Sequence, residues 1–129
     1  MLLILIATSA SAEPGSVAGY LGLGLTRHES TTSSGTKSRW LFVRQLAPNG
    51  PAARAGLEPQ DVITHIDRKR VSFENDAAML RFFSGIRSAQ VVTFTVRRGA
   101  TTVALRVTAE PMPPEFAERW KRNRELARQ

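Results

Sequence analysis

Pro51-Ala52-Ala53-Arg54-Ala55-Gly56-Leu57-Glu58-Pro59-Gln60-Asp61-Val62-Ile63-Thr64-His65-Ile66 is the stretch on which the fold turns. Pro51 suits the first position of a helix, where its missing N–H leaves no bond unmade, and Gly56 suits the residue just past a helix end. The short alanine-rich run between them predicts one or two helical turns. Pro59-Gln60-Asp61 then bends the chain into Asp61 to Ile66, which reads as a strand.

Outward from that stretch the punctuation stays short. On the N-terminal side, Arg39 to Leu46 (RWLFVRQL) reads as a strand, Glu29 to Lys37 (ESTTSSGTK) as a small-polar loop, and Gly19 to Thr26 (GYLGLGLT) as an extended, glycine-interrupted segment. On the C-terminal side, Val91 to Arg97 and Thr101 to Val107 form a predicted hairpin about Gly99-Ala100. Phe73 to Gly85 is the one long helix predicted in the body. Projected at 3.6 residues per turn, Phe73, Ala77, Leu80, Phe83 and Ile86 make one stripe, and Asn75, Met79 and Phe82 an adjacent one. One stripe suffices for a core; the second either deepens the burial or lines a groove, and periodicity alone leaves both open. No internal repeat is present.

Tyr20-Leu21-Gly22-Leu23, followed by the Pro51–Ile66 run, resembles the bacterial PDZ domain of the kind appended to HtrA-type periplasmic serine proteases. The similarity runs from about Ala18 to Ala109, with the second stretch the more specific. The resemblance implies an α+β fold, a partly open β-barrel of five or six strands with two helices, to which the tail adds a C-terminal helix. It also implies recognition of protein C-termini or extended peptides by β-strand addition. On this sequence Leu21, Gly22 and Leu23 match the loop whose N–H groups receive the peptide carboxylate. Gly24 and Leu25 begin the pairing strand, and Asn75, Met79 and Phe82 face the peptide from the helix. An apolar pocket of Leu21, Leu23, Met79 and Phe82 implies a hydrophobic last residue in the ligand. Asn75 stands where many animal members carry a histidine. Two turns depart from the family by losing a glycine, at Pro59-Gln60-Asp61 and at Asp67-Arg68. Keeping a positive φ there costs about 1–2 kcal/mol per residue, so the expectation is that both turns are rebuilt. Gly24 weakens the pairing strand by about 0.5–1 kcal/mol relative to alanine.

The chain has 129 residues, 42% hydrophobic and 22% charged, which fits one domain with a core and leaves no room for a second. It has no cysteine, which excludes disulfides, thiol nucleophiles and thiolate metal sites. Residues 1–12 pair an apolar run, Leu2 to Ala7, with Ala10-Ser11-Ala12, the small-x-small form of a cleavage site. They read as a signal peptide and place the chain in the periplasm or outside the cell. Residues 13–110 form the domain, and residues 111–129 a proline break followed by a basic amphipathic helix from Glu115 to Arg128. That helix docks on the body, binds a partner or rests on a membrane surface, the last not favoured because its apolar face is small.

No catalytic residue, metal site or cofactor is expected. His28 and His65 are scattered, no nucleophile motif is present, and Gly19-x-x-Gly22-x-Gly24 has the wrong order for a dinucleotide loop. Eighteen basic against 11 acidic residues give a net charge of +7, spread along the chain apart from Arg68-Lys69-Arg70, Arg97-Arg98 and the tail; this reads as a solvated surface, with anionic lipid or acidic envelope partners as the alternative and no nucleic acid as partner. The expected function is a non-catalytic module binding hydrophobic C-termini of envelope proteins, as an adaptor to a protease. The alternative is a structural or secretion-system assembly component whose groove holds a fixed partner or its own tail.

Overall fold

From Val91 to Arg98 the side chains alternate, burying Val92, Phe94 and Val96 and turning Thr93, Thr95 and Arg97 outward. The same two-residue period sets Leu41 and Val43 inward from the strand that carries Trp40 and Phe42 on its other side. These half-buried strands assemble in a computed structural model that describes residues 18–127. In chain order the elements are β1 (Gly19–Tyr20), β2 (Leu23–Thr31), β3 (Lys37–Leu46), α1 (Pro51–Ala55), β4 (Val62–Ile66), β5 (Lys69–Arg70), α2 (Asp76–Ser84), β6 (Val91–Arg98), β7 (Thr101–Thr108), β8 (Glu110–Pro111) and α3 (Pro114–Ala127). The signal stretch expected over residues 1–12 lies outside the described residues.

The main sheet is antiparallel and unclosed, in the order β2-β3-β4-β6-β7, with β5 paired to β4. A separate ribbon pairs β1 with β8, Gly19 opposite Pro111 and Tyr20 opposite Glu110. The core gathers Leu41, Val43, Ile63, Val92, Phe94, Val96 and Val107 from the sheet with Ala52, Leu57, Val71 and Ile86 from the segments that cover it. Each large side chain so buried contributes about 1.5–3 kcal/mol of transfer free energy. The α+β architecture is the one the sequence implies.

Three expectations need correction. The small-polar loop is narrower than Glu29–Lys37: β2 runs to Thr31 and β3 starts at Lys37, which leaves only 32–36 as the turn. Cross-strand pairing overrides its composition there, because Ser30 faces Ser38 and the Glu29 carboxylate lies 3.1 Å from Arg39 Nε and 3.8 Å from Lys37 Nζ. The long helix begins at Asp76 rather than Phe73. Asn75 is extended, and its side-chain oxygen accepts a 2.8 Å bond from the Ala78 N–H, the N-cap that starts the helix. The two turns that lack glycine are not rebuilt, since Gln60, Asp67 and Arg68 keep φ of 77°, 50° and 70°. Local bonds hold both. Asp67 accepts from the Thr93 N–H at 2.9 Å through its carboxylate and donates its own N–H to Thr93 O at 2.8 Å. Beside Gln60, the buried Asp61 carboxylate takes two bonds from Arg98, at 2.9 and 2.8 Å, and one from the Glu58 N–H at 2.9 Å.

Candidate functional site

Leu21 and Gly22 bridge β1 to β2, and α1 with the segment before it fixes them from behind. The Ala52 N–H, at the start of α1, donates to Leu21 O at 2.9 Å, and the Ala47 N–H donates to Gly22 O at 3.0 Å. Both loop carbonyls are thereby engaged on the protein side. Leu21 and Gly22 are buried, yet among the described residues their N–H groups have no acceptor. Gly22 sits at φ +74°, a conformation that favours glycine, and a Cβ there would stand 3.2 Å from the Ala47 Cβ, which would have to give by a few tenths of an ångström. Paired N–H groups without protein acceptors, on a loop turned by a left-handed glycine, are the elements from which backbone anion sites are built.

Beyond the loop, β2 is an edge strand. It pairs with β3 along one side only, with a register shift between Gly24 and Leu25, and its other side is unpaired. Helix α2 stands along that side. Leu23 and Leu25 of β2 and Met79 and Phe83 of α2 pack against the same core, giving the space between strand and helix an apolar floor. At its far end, Arg27 crosses from β2 to α2, with Nε 3.2 Å from the Asp76 carboxylate and Nη1 3.3 Å from Phe73 O. The region between the β2 edge and α2, from the N–H loop to the Arg27 contacts, is the candidate cleft.

The residues expected from sequence divide as follows. Leu21, Gly22, Leu23, Gly24 and Leu25 lie on the loop and the edge strand. Met79 is half-buried on α2 against the core, and Phe82 is exposed beside Phe73 and Phe83, ring centroids 5.5 and 5.1 Å away. Asn75 caps α2, its side-chain oxygen held by the Ala78 N–H. Arg27 and Asp76 are additions from the structure, while Phe83 holds the core-stripe place the spacing gives it. Arg27 carries a readable signal: it lies opposite the buried Leu41 and so faces inward, where a charge needs a partner.

Near the loop lies the tail. Helix α3 packs against α2, and Phe116 stacks on Tyr20 with centroids 5.3 Å apart and planes at 11°. Arg54 of α1 forms an ion pair with Glu110 just before it. The side chains of Ala117, Trp120 and Ala127 lie outside the described set. His28 stacks on Trp40 at 5.9 Å, and His65 Nδ1 lies 2.9 Å from Thr64 Oγ1, so each histidine has a local partner. Among the described residues no group of three or more His, Asp or Glu is arranged to hold a metal ion.

The family description "PDZ domain" matches residues 19–109. Among solved structures, the HtrA-type protease AlgW with decapeptide superposes with a TM-score of 0.58 at 27% identity, over 77% of this chain and 31% of that one. AlgW with tripeptide gives 0.56 at 24% identity, over 76% and 33%. The HtrA3 PDZ domain bound to a phage-derived ligand, FGRWV, gives 0.51 at 18% identity, over 73% and 86%, a likeness of fold. The chain spans about a third of the length of the protease chains it matches. No curated protein matches it.

Proposed function

The chain belongs to the PDZ domain family, and from that premise we propose that it binds protein C-termini ending in a hydrophobic residue, by adding the peptide as a strand to β2. The observation that carries this is the Leu21–Gly22 pair of buried N–H groups without protein acceptors, set at the head of an unpaired strand edge. A terminal carboxylate meets those N–H groups, the peptide backbone meets the β2 edge, and its last side chain lies among Leu21, Leu23, Met79 and Phe82. Solved relatives carrying short peptides support a peptide as the ligand. A few peptide residues bury little surface, so affinity is on the order of micromolar. The domain acts without catalysis. We place it in the cell envelope on the signal-like stretch at residues 1–12, as an adaptor presenting envelope proteins to a separate protease. The test is binding of peptides with free and with amidated C-termini to the protein, to Leu23→Asp and to Met79→Lys. Selective binding that amidation and both substitutions abolish is expected; equal binding of amidated peptides overturns the carboxylate loop.

A second reading, an assembly component whose cleft is closed by its own tail, is favoured by one observation, the docking of α3 on α2 with Phe116 against Tyr20.

A further inference from the structure

The sheet has a second face, turned away from the core, and its chemistry differs from that of the cleft. Arginines distant in sequence meet there: Arg44 on β3, Arg70 on β5, Arg97 on β6 and Arg106 on β7 are all exposed. Strand register places them. Arg97 lies opposite Val62, which lies opposite Phe42, two residues from Arg44; Arg70 lies opposite His65, which lies opposite Thr95; Arg106 lies opposite Thr93. None of the four has a carboxylate partner among the described residues, whereas Arg27, Arg39, Arg54 and Arg98 are each paired with one. No acidic residue takes an outward position in these strands. Glu29 falls in the inward register with Arg39, and the nearby Asp67 carboxylate is held by the Thr93 N–H. Trp40 and Phe42 stand half-buried on the same face.

We propose that this outer sheet face docks on an anionic lipid surface. Successive strands lie about 4.8 Å apart and alternate residues about 6.7 Å, so neighbouring arginines are spaced roughly 12–14 Å across two dimensions. That spacing suits a plane of negative charge. It does not suit one phosphate, which two adjacent bases would clamp, or a single polyanion strand, which needs bases in a line along a furrow. Thr93, Thr95 and Thr102 share the face with the exposed Val91 and Ala104, so the contact is superficial, and the indole of Trp40 suits the headgroup region. Each arginine near such a surface changes binding by roughly fivefold at moderate salt.

The test is co-sedimentation of the protein with vesicles of phosphatidylcholine alone and of phosphatidylcholine with about 30% phosphatidylglycerol, at about 0.05 and 0.5 M salt. Binding to the anionic vesicles only, lost at high salt, is expected. R97Q/R106Q lowers the partition coefficient about 25-fold by the same rule, with the circular dichroism and melting of the parent. K121Q/R122Q on α3 serves as comparison and has the smaller effect. Equal binding to both vesicle types, an unchanged R97Q/R106Q, or loss of binding only in the α3 variant overturns the assignment, as does binding of a single-stranded oligonucleotide without binding of vesicles. Peptide binding is unaffected in R97Q/R106Q, so the two proposals fail separately.

Discussion

Gly22 concentrates the local physics of the cleft, because its φ of +74° strains any other residue and an added Cβ would press on Ala47 at 3.2 Å. Gly22→Ala is expected to cost about 1–2 kcal/mol in urea unfolding and to weaken peptide binding at least tenfold as the N–H pair is re-aimed. Opposite chemistry rules at Gln60 and Ala89, non-glycine residues at φ 77° and 72°. Gln60→Gly and Ala89→Gly relieve that strain and raise stability by about 0.5–1 kcal/mol each. Asp67→Gly brings no gain, because it removes the carboxylate that accepts from Thr93 N–H. Burial works to raise the pKa of Asp61, but the bonds from Arg98 and the Glu58 N–H outweigh it and hold the carboxyl below its ordinary value. A lowered folded pKa gives stability that is present above the unfolded value of 3.8 and disappears as pH falls through the folded one. Glu29, held low chiefly by its bond from Arg39, titrates in the same direction. Unfolding free energy therefore falls below about pH 4, and Asp61→Asn flattens that fall while lowering stability at neutral pH. A variant whose acid slope matches the parent would remove the pair from the account.

At the scale of elements, α1 and α2 show what a sequence discloses and what it hides. The Pro51–Gly56 run announces α1 from both ends, and the structure has Pro51 at its first position and Gly56 at φ 108° just past it. The β6–β7 hairpin was equally legible, since period-two alternation is a local signal. The start of α2 was hidden: apolar spacing extends back to Phe73, but the boundary is decided by which side chain caps, and Asn75 does. The glycine-poor turns were misjudged because their compensating bonds come from Thr93 and Arg98, neither of them near in sequence. Arg27 escaped for the same reason, its partners Phe73 and Asp76 being contacts of the fold. Since Asp76 is largely exposed, that ion pair adds little to stability. Arg27→Ala is expected to shift unfolding by less than about 1 kcal/mol while changing affinity for peptides long enough to reach the far end of the cleft. Titration with tripeptides against longer peptides separates the two effects, and a stability loss without a length-dependent change in binding would make Arg27 a structural residue only.

Across the whole molecule, the unclosed sheet leaves two surfaces that do not compete: the edge of β2, which faces α2, and the outward face of β3 to β7. The tail belongs to the first. Helix α3 rests on α2, the β1–β8 ribbon holds its base beside the loop, and Phe116 covers Tyr20, yet the outer edge of β2 has no strand partner. A tail placed in this way packs on one wall of the cleft and adds no strand to β2. Ending the chain at Pro113 keeps the ribbon and removes the stack and the helix packing. Loss of those contacts is expected to lower the melting temperature by about 4 °C or more, the equivalent of roughly 1 kcal/mol in a domain of this size. Peptide affinity should stay within about threefold, since that change corresponds to less than about 0.7 kcal/mol and the N–H loop, the strand edge and the apolar floor are retained. An affinity that rises tenfold or more on truncation would show that the tail occupies the cleft of the intact chain, and would favour the assembly role over capture of free C-termini.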